Sequence, residues 1–168
     1  EMCIRDRPKG VVYHHRGSYL MSMGTVVGWN LPNHPIYLYS VPLFHCNGWG
    51  HAWTMAALAG TVVCLRSFDP EKVFALLDEY RVTHFGGAPI MLNMLANAPE
   101  EIKKSFDREI KVMTAGAPPP AKVLESMMSL GFNVMHVYGL TETYGHILQA
   151  APQASWLNKS PAELAKLS

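Results

Sequence analysis

At 168 residues the chain has room for one domain with a real core, yet 49% of it is apolar and only 16% charged, more apolar surface than this length buries by itself. A formal charge of +1 gives no support for nucleic acid or an anionic membrane as partner, and no apolar run reaches the ~20 residues of a membrane span. Cys3, Cys46 and Cys64 show no C-x-x-C spacing, which argues against a disulfide framework or a zinc site and suits a reduced, cytosolic protein.

In chain order, Gly10-Val11-Val12-Tyr13 predicts a short strand, and His15-Arg16-Gly17 turns it into a helix from Ser18 to about Asn30. Leu31 to Pro35 breaks the chain, and Ile36 to Val41 predicts a buried strand bounded by Pro42. A helix is expected over Gly48 to Ala59, ended by Gly60, then a strand over Thr61 to Leu65. Asp69 caps the next helix, with Pro70 at its first position and Val73, Leu76, Leu77 and Tyr80 at helical spacing. Val82 to Phe85 is a strand and Pro89 to Ala96 a helix. Ile110 to Thr114 is a strand, and Pro120 to Leu130 a helix with Val123, Leu124, Met127 and Met128 on its apolar side, closed by Gly131. Phe132 to Val137 is the last strand, and Ser160-Pro161-Ala162-Glu163 a possible helix start.

This alternation defines an α/β protein with a mostly parallel sheet and helices on both faces. Ligands in such sheets lie beyond the carboxyl ends of the strands. Gly86-Gly87-Ala88-Pro89, Ala115-Gly116-Ala117-Pro118 and Tyr138-Gly139 each follow a strand, so they should converge on one crevice.

Chemistry concentrates in four places. Tyr138-Gly139-Leu140-Thr141-Glu142-Thr143 offers a flat ring, a hydroxyl and a hard carboxylate ligand within one turn, although Thr141 would also serve as a helix cap. Pro8-Lys9-Gly10-Val11 offers a point charge for phosphate beside a residue that lets backbone approach a ligand. Pro42-Leu43-Phe44-His45-Cys46-Asn47-Gly48-Trp49 puts an imidazole and an indole after a strand, where a structural histidine is the plainer alternative. Gly86-Gly87-Ala88-Pro89 reads either as a tight turn or as space left for a ligand chain, with Ile90, Met91 and Met94 around it.

Taken in this order, the motifs resemble the adenylate-forming (AMP-binding) enzymes, and the Phe-His-Cys-Asn-Gly-Trp spelling resembles their acyl-CoA synthetase branch, including short- and medium-chain and methylmercaptopropionate ligases. The resemblance implies ATP (bound as AMP after reaction), Mg²⁺ and coenzyme A as cofactors, and a small carboxylic acid as substrate. It implies that Lys9 ends the phosphate loop and that Gly116, Ala117 and Pro118 pass along adenine. Tyr138 would stack on adenine beside Gly139, Thr141 would bond the α-phosphate, and Glu142 would hold Mg²⁺. His45 would orient the carboxylate, Trp49 would wall the acyl pocket, and Gly87 would leave it room. Thr141, Glu142 and His45 form the implied catalytic set.

The family's loop is usually written T-S-G-T-T-G-x-P-K-G. Met2 to Arg7 stand where its first part should be, so Glu1 to Arg7 read as a foreign leader and 8–168 as a partial AMP-binding domain. The family's ribose-binding acid, hinge and small C-terminal domain would follow Ser168, so this polypeptide alone is expected to be inactive. The full-length enzyme could form a homo-oligomer. Two other readings stand beside the synthetase: a non-catalytic adenine-nucleotide or acyl-binding module, and an adenylation domain that loads a carrier protein.

Overall fold

A computed structural model describes residues 10–151, 153–156, 158–164 and 167; Lys9 and the segment read as a leader lie outside the described residues. Six strands form one sheet in the order β2-β1-β3-β4-β5-β6, where β1 is Ile36–Tyr39, β2 Thr61–Cys64, β3 His84–Gly87, β4 Ile110–Thr114, β5 Phe132–Leu140 and β6 Gly145–Gln149. All neighbours are parallel except β5 and β6. The chain leaves β1 toward β2 and then returns to lay β3 on the other side of β1. The strand order therefore reverses between β1 and β3, where a crevice opens in sheets of this kind.

Period-two alternation sorts the side chains onto two faces. Leu38, Phe85, Val112 and Val134 belong to one core, shared with helices α3 (Pro70–Glu79), α4 (Pro89–Ala96) and α5 (Ala121–Ser129). Tyr37, Met113 and Met135 belong to the other, with Trp29 following α1 (His15–Gly28) and Met55 from α2 (His51–Ala57). The expected α/β fold with helices on both faces is the observed one. Local chemistry explains the best-read helices. The Asp69 side chain accepts from Lys72 N at 3.1 Å and Pro70 sits in the first turn of α3, which buries Val73, Phe74 and Leu77. Helix α5 buries Val123, Leu124 and Met127, and Gly131 follows it at φ +89°, where an L side chain would be strained. A short helix α6, Pro161–Leu164, lies in the tail, with Ser160 N donating to Glu163 Oε2 at 2.9 Å.

Several expectations fail. Residues 10–14 form no strand: none of the six strands pairs with them, and Val11 and Val12 stay exposed. Instead α1 begins at His15, its first turn closed by Gly17 N donating to His14 Nδ1 at 2.9 Å. The helix expected from Gly48 is shorter, since Cys46, Asn47, Gly48, Trp49 and Gly50 all have positive φ, between 46° and 72°, and make a left-handed turn before α2 starts at His51. Strand β5 runs on through Tyr138, Gly139 and Leu140, and β6, absent from the sequence reading, pairs against that extension.

Candidate active site

The carboxyl ends of β1, β3, β4 and β5 surround a cleft of about 130 Å³. His45 and Trp49 come to it from the left-handed turn after β1, Ala88 and Met91 from the start of α4, Gly116 from the turn after β4, and Gly139 and Leu140 from the end of β5. The convergence of the glycine-containing segments is therefore real. Residues far apart in the chain meet because parallel strands all deliver their following loops to one edge of the sheet.

Gly116 has φ +97° and open space where a side chain would stand. Trp49 packs toward Gly86, whose missing side chain leaves only 3.2 Å to the indole edge and 3.1 Å to Tyr37 Oη. Gly87 points the other way: a Cβ there would meet Leu92 Cδ1 at 3.1 Å and Met91 Cβ at 3.5 Å. The space it leaves is filled by α4, and Gly86 is the glycine beside the indole. Ala117 and Pro118 are exposed and are not among the residues lining the cleft. Of the three apolar residues expected around the turn, Met91 alone lines it, while Ile90 and Met94 face solvent.

Thr141 sits beside the cleft, its Oγ1 3.1 Å from Sγ of Cys46, a lining residue. Its carbonyl accepts from Tyr13 Oη at 2.6 Å, and the Tyr13 ring stacks on Tyr144 with centroids 4.5 Å apart. Burial, then Cys46, Glu142 and Tyr144, hold the Tyr13 hydroxyl above its ordinary pKa. Tyr13 thus anchors the turn that carries Thr141 and Glu142. That turn, Thr141–Thr143, is closed from within: Leu140 N donates to Thr143 Oγ1 at 2.9 Å, and Thr143 Oγ1 donates to Gly145 O at 2.6 Å. With Thr143 doing the closing, the Thr141 hydroxyl and the exposed Glu142 carboxylate are not consumed as caps. Tyr138, next to Gly139, exposes half of its ring.

Sequence reasoning missed Tyr13, Cys46, Gly86 and His146. His146 lines the cleft from β6, and burial lowers its pKa. It pairs with Gly139 across a bulge in which Ile147 is the extra residue, a distortion that re-aims neighbouring side chains. Beneath Trp49 lies His51, fully buried, with neither ring nitrogen hydrogen-bonded. Burial, then His146 and His84, push its pKa down to about 3. Among the described residues no group of three or more His, Cys, Asp or Glu is placed to hold a metal ion, and no helix is long and apolar enough to cross a membrane.

An exposed ring, a side-chain-free turn, a hydroxyl and a carboxylate thus stand together at the carboxyl edge of an α/β sheet. The model of AMP-binding enzymes matches residues 7–163, and the chain belongs to that family. It is 46% identical over 162 residues to a 2-methylpropanoate–CoA ligase of Humulus lupulus, covering 95% of this chain and 28% of that protein. It is 44% identical over 162 residues to a peroxisomal acetate/butyrate–CoA ligase of Arabidopsis thaliana, covering 96% and 28%. Among solved structures, the inhibitor-bound N-terminal domain of FACL13 from Mycobacterium tuberculosis superposes with a TM-score of 0.82 at 25% identity, covering 89% of this chain and 38% of that one. The chain therefore spans little more than a quarter of the length of the curated relatives it matches.

Proposed function

We propose that the native protein containing this chain is an ATP-dependent acyl-CoA synthetase. In the first step a carboxylate oxygen of the acid attacks the α-phosphorus of ATP, and pyrophosphate leaves. In the second the thiol of coenzyme A attacks the acyl carbon, loses its proton, and AMP leaves with the carboxylate oxygen. The observation that carries the reading is the meeting of His45, Trp49, Gly116 and Gly139 in one cleft, with Thr141 beside it and Tyr138 and Glu142 on the same strand end and turn. Family membership and the ligase names of the relatives support it.

Each residue has a task its environment allows. Gly116 lets adenine lie against backbone, and Tyr138 offers its exposed ring as a stacking face. Thr141 Oγ1 donates to the α-phosphate once it parts from Cys46. Magnesium, when bound with the nucleotide, supplies positive charge against the phosphates, and the single free carboxylate of Glu142 suits an ion that takes most of its ligands from phosphate and water. Lys9 adds a cation for the phosphates. His45 orients the carboxylate, and Trp49 closes the cleft over Gly86. The acids named for the relatives favour a short straight or branched acid.

The test is acid-dependent ATP–pyrophosphate exchange by the native protein, followed by AMP release on adding coenzyme A. Exchange with 2-methylpropanoate or butyrate is expected. Exchange that passes its acyl group to a carrier protein but not to free coenzyme A would overturn the acceptor, and no exchange with any short acid would overturn the reaction.

A further inference from the structure

Tyr13, four residues after Lys9 in the sequence, meets the Thr141–Thr143 turn across 128 positions of chain. Its Oη donates to Thr141 O at 2.6 Å, and its ring lies on that of Tyr144 with the two planes 25° apart. Tyr144 follows the turn at φ +67°, in the left-handed region that an aromatic residue rarely takes. The Tyr144 ring in turn lies against Gly17 in the first turn of α1, where a Cβ would stand 2.5 Å from Cε1 and Cζ of the ring. His14 N donates to Tyr144 Oη at 3.4 Å. Two stacked phenols and a missing side chain thus seat the turn on the start of α1.

The turn does not need Tyr13 for its own shape. Thr143 closes it from within, and Tyr144 N donates to Thr141 O at 3.3 Å as the turn's own hydrogen bond. What Tyr13 fixes is where the turn stands. The Cys46 contact cannot do so during reaction, since it engages the Thr141 hydroxyl that must be released to reach phosphate. Tyr13 engages the Thr141 carbonyl instead, so its bond survives when that hydroxyl and the Glu142 carboxylate take up ligands. Burial, then Cys46, Glu142 and Tyr144, raise the Tyr13 pKa above its ordinary 10.0, which keeps the hydroxyl a protonated donor at neutral pH.

We infer that Tyr13, backed by Tyr144 and Gly17, is a positioning residue of the adenylation half-reaction, holding Thr141 and Glu142 ready for the triphosphate. The inference rests on the acyl-CoA synthetase reading. Both side chains stand exposed on a turn of three residues, and an untethered turn would have to be ordered at the moment of binding. Fixing it beforehand removes that cost from ATP binding and from the transition state, where donors aimed in advance act best. Tyr13 touches no reacting atom and acts only through the turn. Its effect belongs to the first half-reaction, because the triphosphate and its magnesium take part only there.

Tyr13→Phe in the native full-length protein removes the hydrogen bond and keeps the ring stack. The KM for ATP in ATP–pyrophosphate exchange, and the Kd for ATP with Mg²⁺ by calorimetric titration, should each rise about fivefold to tenfold, the worth of one hydrogen bond. Thioester formation from preformed acyl-adenylate and the melting temperature should stay near the parent. Tyr13→Ala should raise the KM about thirtyfold, since the stack goes too. Gly17→Ala drives the Tyr144 ring off its seat while favouring α1. It should raise the KM with Tyr13 intact, and it decides the matter if neither Tyr13 variant accumulates. Parental ATP binding and KM in Tyr13→Phe and Gly17→Ala would overturn the proposal. So would equal losses in both half-reactions with a lowered melting temperature, which mark a role in folding alone. A parent that binds ATP and exchanges pyrophosphate, beside an unaltered Tyr13→Phe, sinks this proposal only; a parent that does neither takes the acyl-CoA synthetase reading with it.

Discussion

Gly139→Ala should do more damage than its size suggests, because the glycine faces backbone rather than side chain. A Cβ at 139 would collide with the carbonyl oxygen of Gly145 and stand 2.6 Å from both the Gly145 carbonyl carbon and His146 Cα. To restore the 3.4 Å of ordinary contact, β6 must retreat by about 0.8 Å or more, enough to break hydrogen bonds around the Gly139–His146 and Leu140–Gly145 pairs. Two bonds at about 1 kcal/mol each, plus the strain that remains, give a loss of about 2–4 kcal/mol. Gly145→Ala is the matched control. Its Cβ would meet only the Met21 side chain, at 3.2 Å, which can swing aside at a cost of under about 1 kcal/mol. Urea unfolding of the two variants measures the difference, and AMP titration should show weaker binding for Gly139→Ala, since Gly139, Leu140 and His146 all line the cleft. Equal stability of the two variants, or a Gly139→Ala protein within about 0.5 kcal/mol of the parent, would refute the close-approach argument.

Three other outcomes follow from the same geometry. Glu142→Gln in the native protein should impair ATP–pyrophosphate exchange far more than thioester formation from preformed acyl-adenylate; equal loss in both would count against a magnesium role. Asn47 stands in the left-handed turn at φ 46°, so Asn47→Val should cost about 1–2 kcal/mol in urea unfolding while Asn47→Gly stays near the parent, and equal costs would refute backbone strain as the cause. Burial holds His51 at about 3 and His84 at about 4, so above pH 6.5 both are neutral folded or unfolded and their contribution is complete. Below pH 6.5 the unfolded chain takes up protons that the folded one cannot, and each histidine then costs about 1.4 kcal/mol of stability per pH unit. That loss should run down to about pH 4 for His84 and about pH 3 for His51. His51→Met should flatten the melting-temperature profile between pH 6 and 4, and parallel profiles would show that His51 is not held neutral.

The amino-acid sequence by itself determined the elements whose signals are local. Asp69-Pro70 and the spacing of Val73 and Leu77 specify α3, Val123, Leu124 and Met127 specify α5, and the order of strands and helices dictates a mostly parallel sheet with its cleft at the carboxyl ends. The motif around Tyr138 to Glu142 was legible because its chemistry is compressed into five consecutive residues. What sequence could not reveal depends on partners distant in the chain. Strand β6 exists because Gly139 permits close backbone approach, and Ile147 and Leu148 have no alternation of their own to announce a strand. The turn at Cys46 to Gly50 looks helical by composition, and two glycines alone do not reveal that Cys46, Asn47 and Trp49 also turn left-handed. Gly86 and Gly87 are adjacent and chemically identical, so only the pleat decides which one faces the indole and which one faces α4. Helical periodicity says that α1 has two faces, but only the tertiary structure buries Ser22 and Thr25 and leaves Leu20 and Val27 exposed. Short-range preference sets which elements form, while packing against the rest of the molecule sets which way each of them looks.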